Sequence, residues 1–186
     1  MSTTLPGPRT TNAHLLIKVE QGFSWIGIKE SIWREALERA VPDPSVGIRH
    51  AQISGNEDYR IHVASIPEQV GCHYHSTGDE VYSVVEGSGI LTVGTVIDGE
   101  VPPTEWRSLF VTKGDSFVIP ENCAHQLRRS GLEDLTILFG CPDAHLSDVH
   151  DRHHLPDSPN DLPLAEGASP NRNPLKLPRV TAFNPA

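Results

Sequence analysis

GCHYHSTGDEVYSVVEG, residues 71–87, decides how this chain is read. His73 and His75 are two residues apart, and alternate side chains of an extended strand share a face. Both imidazoles therefore point one way and Tyr74 the other. Ser76-Thr77-Gly78-Asp79 is a tight-turn sequence, with Gly78 supplying a permissive backbone. The strand that starts at Glu80 folds back beside the first and brings its carboxylate toward His75, with Tyr82 on the same face. A second stretch, GDSFVIPENCAHQLRR at 114–129, delivers His125 after a turn at Pro120-Glu121-Asn122. His125 lies 45 residues beyond Glu80 and must arrive on another strand. Inward positions of opposing strands meet in the interior of a closed or nearly closed barrel. Three imidazoles and a carboxylate buried together are costly without a cation to compensate them. The same donor set grips a divalent metal while leaving coordination positions free. His73, His75, Glu80 and His125 are the expected metal ligands.

Working outward, about a hundred residues carry β-type punctuation. Strands are expected over 46–54, 59–66, 71–75, 80–87, 90–97, 106–111, 115–120, 124–129 and 135–140. Turn signals separate them: Gly55-Asn56, Gly87-Ser88-Gly89, Asp98-Gly99, Lys113-Gly114-Asp115 and Gly131. Many short strands at this spacing indicate an all-β sandwich or barrel. One amphipathic helix is expected over Ser31–Ala40. Trp33, Ala36, Leu37 and Ala40 recur at helical spacing, Ser31 is the expected N-cap, and Val41-Pro42 the stop. It reads as a cover for an open end or side of a sheet.

A polar arm (1–12) and short strands over 14–20 and 24–28 are expected before the helix. After Cys141 come eight of the sixteen prolines and few aromatic or β-branched residues. That composition predicts an irregular tail, with a role in draping over the domain or a partner subunit. The expected organisation is one folded domain: arm, short strands and helix over 1–45, barrel over 46–142, Pro-rich tail over 143–186.

A length of 186 residues fits one domain with a sizeable core. The chain is 37% hydrophobic and 21% charged, which is globular, and its formal charge of −9 argues against nucleic acid or an anionic membrane as partner. A small-molecule substrate fits better. Cys72, Cys123 and Cys141 form no CxxC, a sparse odd count that suits a reducing compartment. No basic start is followed by an apolar run, and no window approaches 18 apolar residues. The expected location is the cytoplasm.

His73-x-His75-x4-Glu80-x6-Gly87 resembles the first cupin motif, and Gly114-x5-Pro120-x4-His125 resembles the second. The resemblance spans roughly residues 60–140. It implies a small antiparallel β-barrel of jelly-roll type, one ion held by the two His, the Glu and the last His, and pairing into a homodimer. Pro67 stands where the leading glycine is expected, Asn122 replaces a second-motif glycine, and Arg129 replaces a closing Asn. None of these removes a ligand. The 26 residues between Gly87 and Gly114 exceed the minimal spacing and read as an extended hairpin around Asp98-Gly99, edged by Pro102-Pro103.

Ligand type admits Fe, Mn, Ni, Co or Zn. Six-coordinate binding leaves two adjacent open positions, which suits a dioxygenase; a Lewis-acid role suits an isomerase, lyase, decarboxylase or cyclase. Dioxygenase-type oxidoreductase chemistry is placed first, and a ligand-binding cupin without turnover last. Tyr82 is the candidate acid/base or orienting group. Leu127 shares the His125 face, and Arg60, His62, Phe117 and Phe139 complete the expected substrate pocket. Cys72 should face away from the ligands, and Cys123 is expected to be a buried inert thiol. His145, His150, His153 and His154 form a loose cluster with no periodicity to aim them, so no second metal site is expected.

Overall fold

The computed structural model describes residues 28–56 and 59–165. Two antiparallel sheets face each other. The first has the order β1-β2-β3-β10-β5-β8, from β1 (Val41–Asp43), β2 (Ile48–Gly55), β3 (Arg60–Ile66), β10 (Leu135–Cys141), β5 (Glu80–Glu86) and β8 (Ser116–Ile119). The second runs β11-β4-β9-β6-β7, from β11 (His153–His154), β4 (His73–Tyr74), β9 (Cys123–Arg129), β6 (Ser88–Thr95) and β7 (Arg107–Thr112). This is a jelly-roll barrel, and all nine expected strands are in it. The arm and the strands expected over 14–20 and 24–28 lie outside the described residues except for Ile28.

Strand β10 shows why the sequence adopts these layers. Leu135, Ile137, Phe139 and Cys141 enter the core between the sheets, while Leu138 points to the outer face. All seven of its residues are buried. A central strand covered on both faces reads as a continuous apolar run rather than an alternating one. The outer cover is α1 (Glu30–Glu38), whose Trp33 and Ala36 pack on Val63, Val81 and Leu138, with Leu37 and Ile28 at the margin. The N-cap is Lys29, which makes no side-chain cap bond, and Ser31 sits inside the helix. The helix stops at Glu38 with Arg39 as C-cap, two residues short of the expected end, and Val41–Asp43 then pairs with β2 at the sheet edge. Proline is tolerated there because an edge strand has donors to spare.

Asp98 and Gly99 both have positive φ (53° and 85°), and Ile97 and Glu100 exchange backbone hydrogen bonds of 2.7 and 3.1 Å across them. That is the two-residue hairpin turn matched to strand twist. Asn122, at φ 56°, adopts the left-handed backbone usually left to glycine, and its N–H donates to the His75 carbonyl at 2.7 Å.

The tail is mostly irregular up to Ala165, yet it is built into the barrel. A 3₁₀ turn (Asp143–Leu146) leads to β11, which pairs with β4. Buried Arg152 is tied to Asp43 at 3.0 Å. Among the described residues no helix is long and apolar enough to cross a membrane.

Candidate metal centre

The two sheets bring the four expected ligands together. His73 and His125 are cross-strand partners on β4 and β9, and His75 follows directly after β4. Glu80 opens β5 on the opposing sheet. Exposure is 5% for His73, 3% for His75, 4% for Glu80 and 2% for His125. One ligand atom from each lies within 4.8 Å of all the others.

Each imidazole is oriented from behind. His73 Nδ1 lies 2.7 Å from the Gly71 carbonyl, His75 Nδ1 2.6 Å from that of Asp151, and His125 Nδ1 3.1 Å from that of Cys123. A carbonyl only accepts, so all three Nδ1 atoms carry the proton and all three Nε2 atoms present lone pairs. His75 Nε2 is buried with no hydrogen-bond partner. It lies 3.5 Å from Glu80 Oε1, and His125 Nε2 lies 3.3 Å from Glu80 Oε2. Lone pairs facing a carboxylate repel it, and a cation among them reverses the sign. The donors fit a divalent metal, and backbone carbonyls behind the rings are the usual outer support of such a site.

Electrostatics agree. Burial holds His73 well below the ordinary imidazole value, and the neighbouring His125 and His75 rings push the same way. Burial takes His75 down to about 4. For Glu80, burial opposes ionisation, and positive charge at its His75, His125 and His145 neighbours outweighs it and keeps the carboxyl well below its usual range; with the Nε2 atoms of His75 and His125 unprotonated, a bound cation would supply that charge. Neutral imidazole and ionised carboxylate are the forms that bind a metal.

Residues 62–141 match the family model of the cupin domain. That stretch of the chain is a cupin domain. No curated protein matches the sequence. Solved structures align at low identity. An oxalate decarboxylase from Lactobacillus farciminis, determined as a formate complex, is 16% identical with a TM-score of 0.48, over 63% of this chain and 34% of that one. A cupin-2 domain containing protein from Shewanella frigidimarina is 20% identical with a TM-score of 0.44, over 62% and 94%. The cupin domain of Schizosaccharomyces pombe Cnp3 is 12% identical with a TM-score of 0.42, over 50% and 62%. The alignment covers only 34% of the first oxalate decarboxylase and 31% of another from Bacillus subtilis.

In this cupin, Tyr82 points inward from β5 as strand alternation predicts. Its hydroxyl donates to Glu80 Oε2 at 2.6 Å. Burial and the adjacent Glu80 charge raise it well above the ordinary phenol value, so it keeps its proton. The row His62, Phe139, Tyr82 and Phe117 crosses four strands, with successive ring centroids 5.1, 6.0 and 5.4 Å apart. Phe139 and Tyr82 line a cavity of about 40 Å³ together with His73 and Glu80. Its other walls are apolar residues such as Val46, Ile48, Ile66, Val70 and Ile137, with Asp43, His50, His145 and Arg152 as polar points. The remaining pocket candidates do not line it. Phe117 and Leu127 are buried in the core. Arg60 pairs with Asp143 at 2.7 Å. His62 lies with its Nδ1 3.5 Å from that of His50.

Sequence reasoning missed the contribution of the tail. His145 is buried, its ring stacked on His75 with centroids 3.8 Å apart and planes within 1°. Its Nδ1 lies 3.2 Å from Glu80 Oε1 and its Nε2 2.6 Å from the Thr77 carbonyl. Burial opposes a proton on this ring, and the Glu80 contact outweighs it and raises its value. The Asp151 carboxylate accepts from the backbone N–H and hydroxyl of both Ser76 and Thr77. His150, His153 and His154 are exposed, with His153 stacked on Tyr74. His145 thus parts from the other three. Two further groupings, His75/His145/Asp151 and Glu80/Cys141/His145, have donors close enough for an ion, but each shares a member with the first quartet. All three cysteines are buried free thiols.

Proposed function

We propose that this cupin is a metal-dependent enzyme acting on a small organic substrate, with dioxygenase-type chemistry. His73, His75, Glu80 and His125 hold one divalent transition metal in this reading. The observation that carries it is the commitment of every imidazole Nδ1 to a backbone carbonyl, which leaves three Nε2 lone pairs free, those of His75 and His125 lying 3.5 and 3.3 Å from Glu80. Iron, manganese, nickel, cobalt and zinc all suit these donors. A redox-active metal held by these four residues would supply the site at which a substrate and dioxygen react.

The protein's own part follows from the cavity. Its apolar walls accept a short carbon skeleton, and the volume of about 40 Å³ suits a small molecule. Tyr82 orients Glu80 and borders the same space. That phenol also favours a second reading, a non-redox isomerase, lyase, decarboxylase or cyclase, because a protonated hydroxyl beside the substrate is placed to give up a proton.

Metal analysis of protein purified without added metal, followed by oxygen uptake on a panel of small hydroxy and keto acids, separates the two. Iron with oxygen consumption supports the dioxygenase reading. Zinc alone with no oxygen consumption overturns it in favour of the non-redox one. A small metabolite that co-purifies and is recovered unchanged supports a ligand-binding cupin instead.

A further inference from the structure

The family match ends at residue 141, and the residues just beyond it reach the metal centre from the side the two motifs leave open. His145 comes from the 3₁₀ turn Asp143–Leu146, and its side chain is fully buried, at 0% exposure. It touches two of the four proposed ligands at once. Its ring lies flat on His75 at 3.8 Å between centroids, and its Nδ1 is 3.2 Å from Glu80 Oε1. Tyr82 holds the other carboxylate oxygen at 2.6 Å. Glu80 is therefore gripped at both oxygens by groups outside the quartet, and rotation of the carboxylate breaks one grip or both. The second His145 nitrogen, Nε2, faces the Thr77 carbonyl at 2.6 Å. With an acceptor on each side, the ring serves the centre as a donor, not as a fifth ligand.

We propose that His145 is a positioning residue of the metal centre: its Nδ1–H sets the orientation in which Glu80 meets the metal, and its stacking fixes the plane of His75. This rests on the quartet being the metal site. Groups that orient ligands from outside commonly change metal affinity by about 10–100-fold when removed. The competing explanation is that His145 only anchors the tail through Thr77. Two amide substitutions separate these roles. In His145→Asn the amide nitrogen falls near the place of Nδ1, keeping a donor for Glu80 while losing the reach to Thr77. In His145→Gln the amide nitrogen falls near Nε2, keeping Thr77 and releasing Glu80.

The test is a Co(II) titration of the metal-free full-length chain, followed by the visible absorption of the bound ion, with urea midpoints of each metal-free variant measured alongside. The expected result is one equivalent of Co(II) in the wild type. In His145→Ala binding weakens about 10–100-fold and the absorption bands shift. His145→Asn restores the bands and most of the affinity, and His145→Gln does not. Wild-type bands and affinity in His145→Ala overturn the proposal. So does restoration by Gln rather than Asn, which assigns the ring to anchoring Thr77. If His145→Ala does not fold, the comparison of Asn with Gln decides alone. Absence of Co(II) uptake by the wild type, or uptake unchanged in His125→Ala, overturns the quartet itself and this inference with it, a failure distinct from the others.

Discussion

Replacing His62 with leucine tests whether the interior of the first sheet holds a neutral imidazole at a cost that appears only in acid. His62 is 3% exposed, its Nε2 has no partner, and its ring lies on Phe139 with centroids 5.1 Å apart. Burial, reinforced by His50 and Arg60, lowers it to about 4. In the unfolded chain the group returns to about 6.5. Above that pH it is neutral in both states and its stability contribution is fully present. As pH falls below about 6.5 the unfolded chain takes up the proton first, so stability declines until the folded form also protonates near 4. At about 1.4 kcal/mol per pH unit, the loss approaches about 3 kcal/mol. Leucine has nearly the same volume and no such titration. Urea unfolding of metal-free wild type and His62→Leu between pH 7.5 and 4 isolates the effect, because His50, His73 and His75 titrate in both proteins. The variant is expected to lie within about 1 kcal/mol of wild type at pH 7.5 and to gain on it steadily toward pH 4. Parallel stability curves over that interval refute the reasoning.

Asp151→Ala strips Ser76 and Thr77 of a charged acceptor that serves both of their amides, and losing these hydrogen bonds costs about 2–4 kcal/mol, read as a drop in unfolding free energy. Tyr82→Phe keeps the stacks on Phe117 and Phe139 but removes the hydroxyl from Glu80; Co(II) affinity is expected to fall about tenfold or more with little change in the metal-free urea midpoint. Trp33→Ala removes the main side chain joining α1 to the outer face of the first sheet. It is expected to cost about 3–5 kcal/mol while leaving the folded protein's Co(II) stoichiometry unchanged.

The barrel and the meeting of His73, His75, Glu80 and His125 in its interior were legible because their signals are local and periodic. His73 and His75 share a face by strand alternation, the Ser76–Asp79 turn returns the chain at Glu80, and Tyr82 follows by parity. The cupin motifs then implied that His125 joins them, and the pairing of β4 with β9 is how the fold sets it beside His73. His145, Asp151 and Arg152 were not legible for the opposite reason. They sit in a proline-rich segment with no repeating period, where nothing in the sequence aims a side chain. The only available signal was the concentration of His and Asp between residues 143 and 154, and burial alone separates His145 from its exposed neighbours. Strand parity placed Leu127 on the His125 face, but it could not tell core from cavity wall, there or at Phe117 and His62. The same limit applies at Val41-Pro42, which marks a helix end without revealing that an edge strand follows.

The most direct test of the metal centre is anomalous diffraction at the absorption edge of the metal found in the purified protein. One peak is expected, bonded at about 2.0–2.2 Å to Nε2 of His73, His75 and His125 and to an oxygen of Glu80. A structure with no peak there, or with its peak on His153 and His154 instead, contradicts the account.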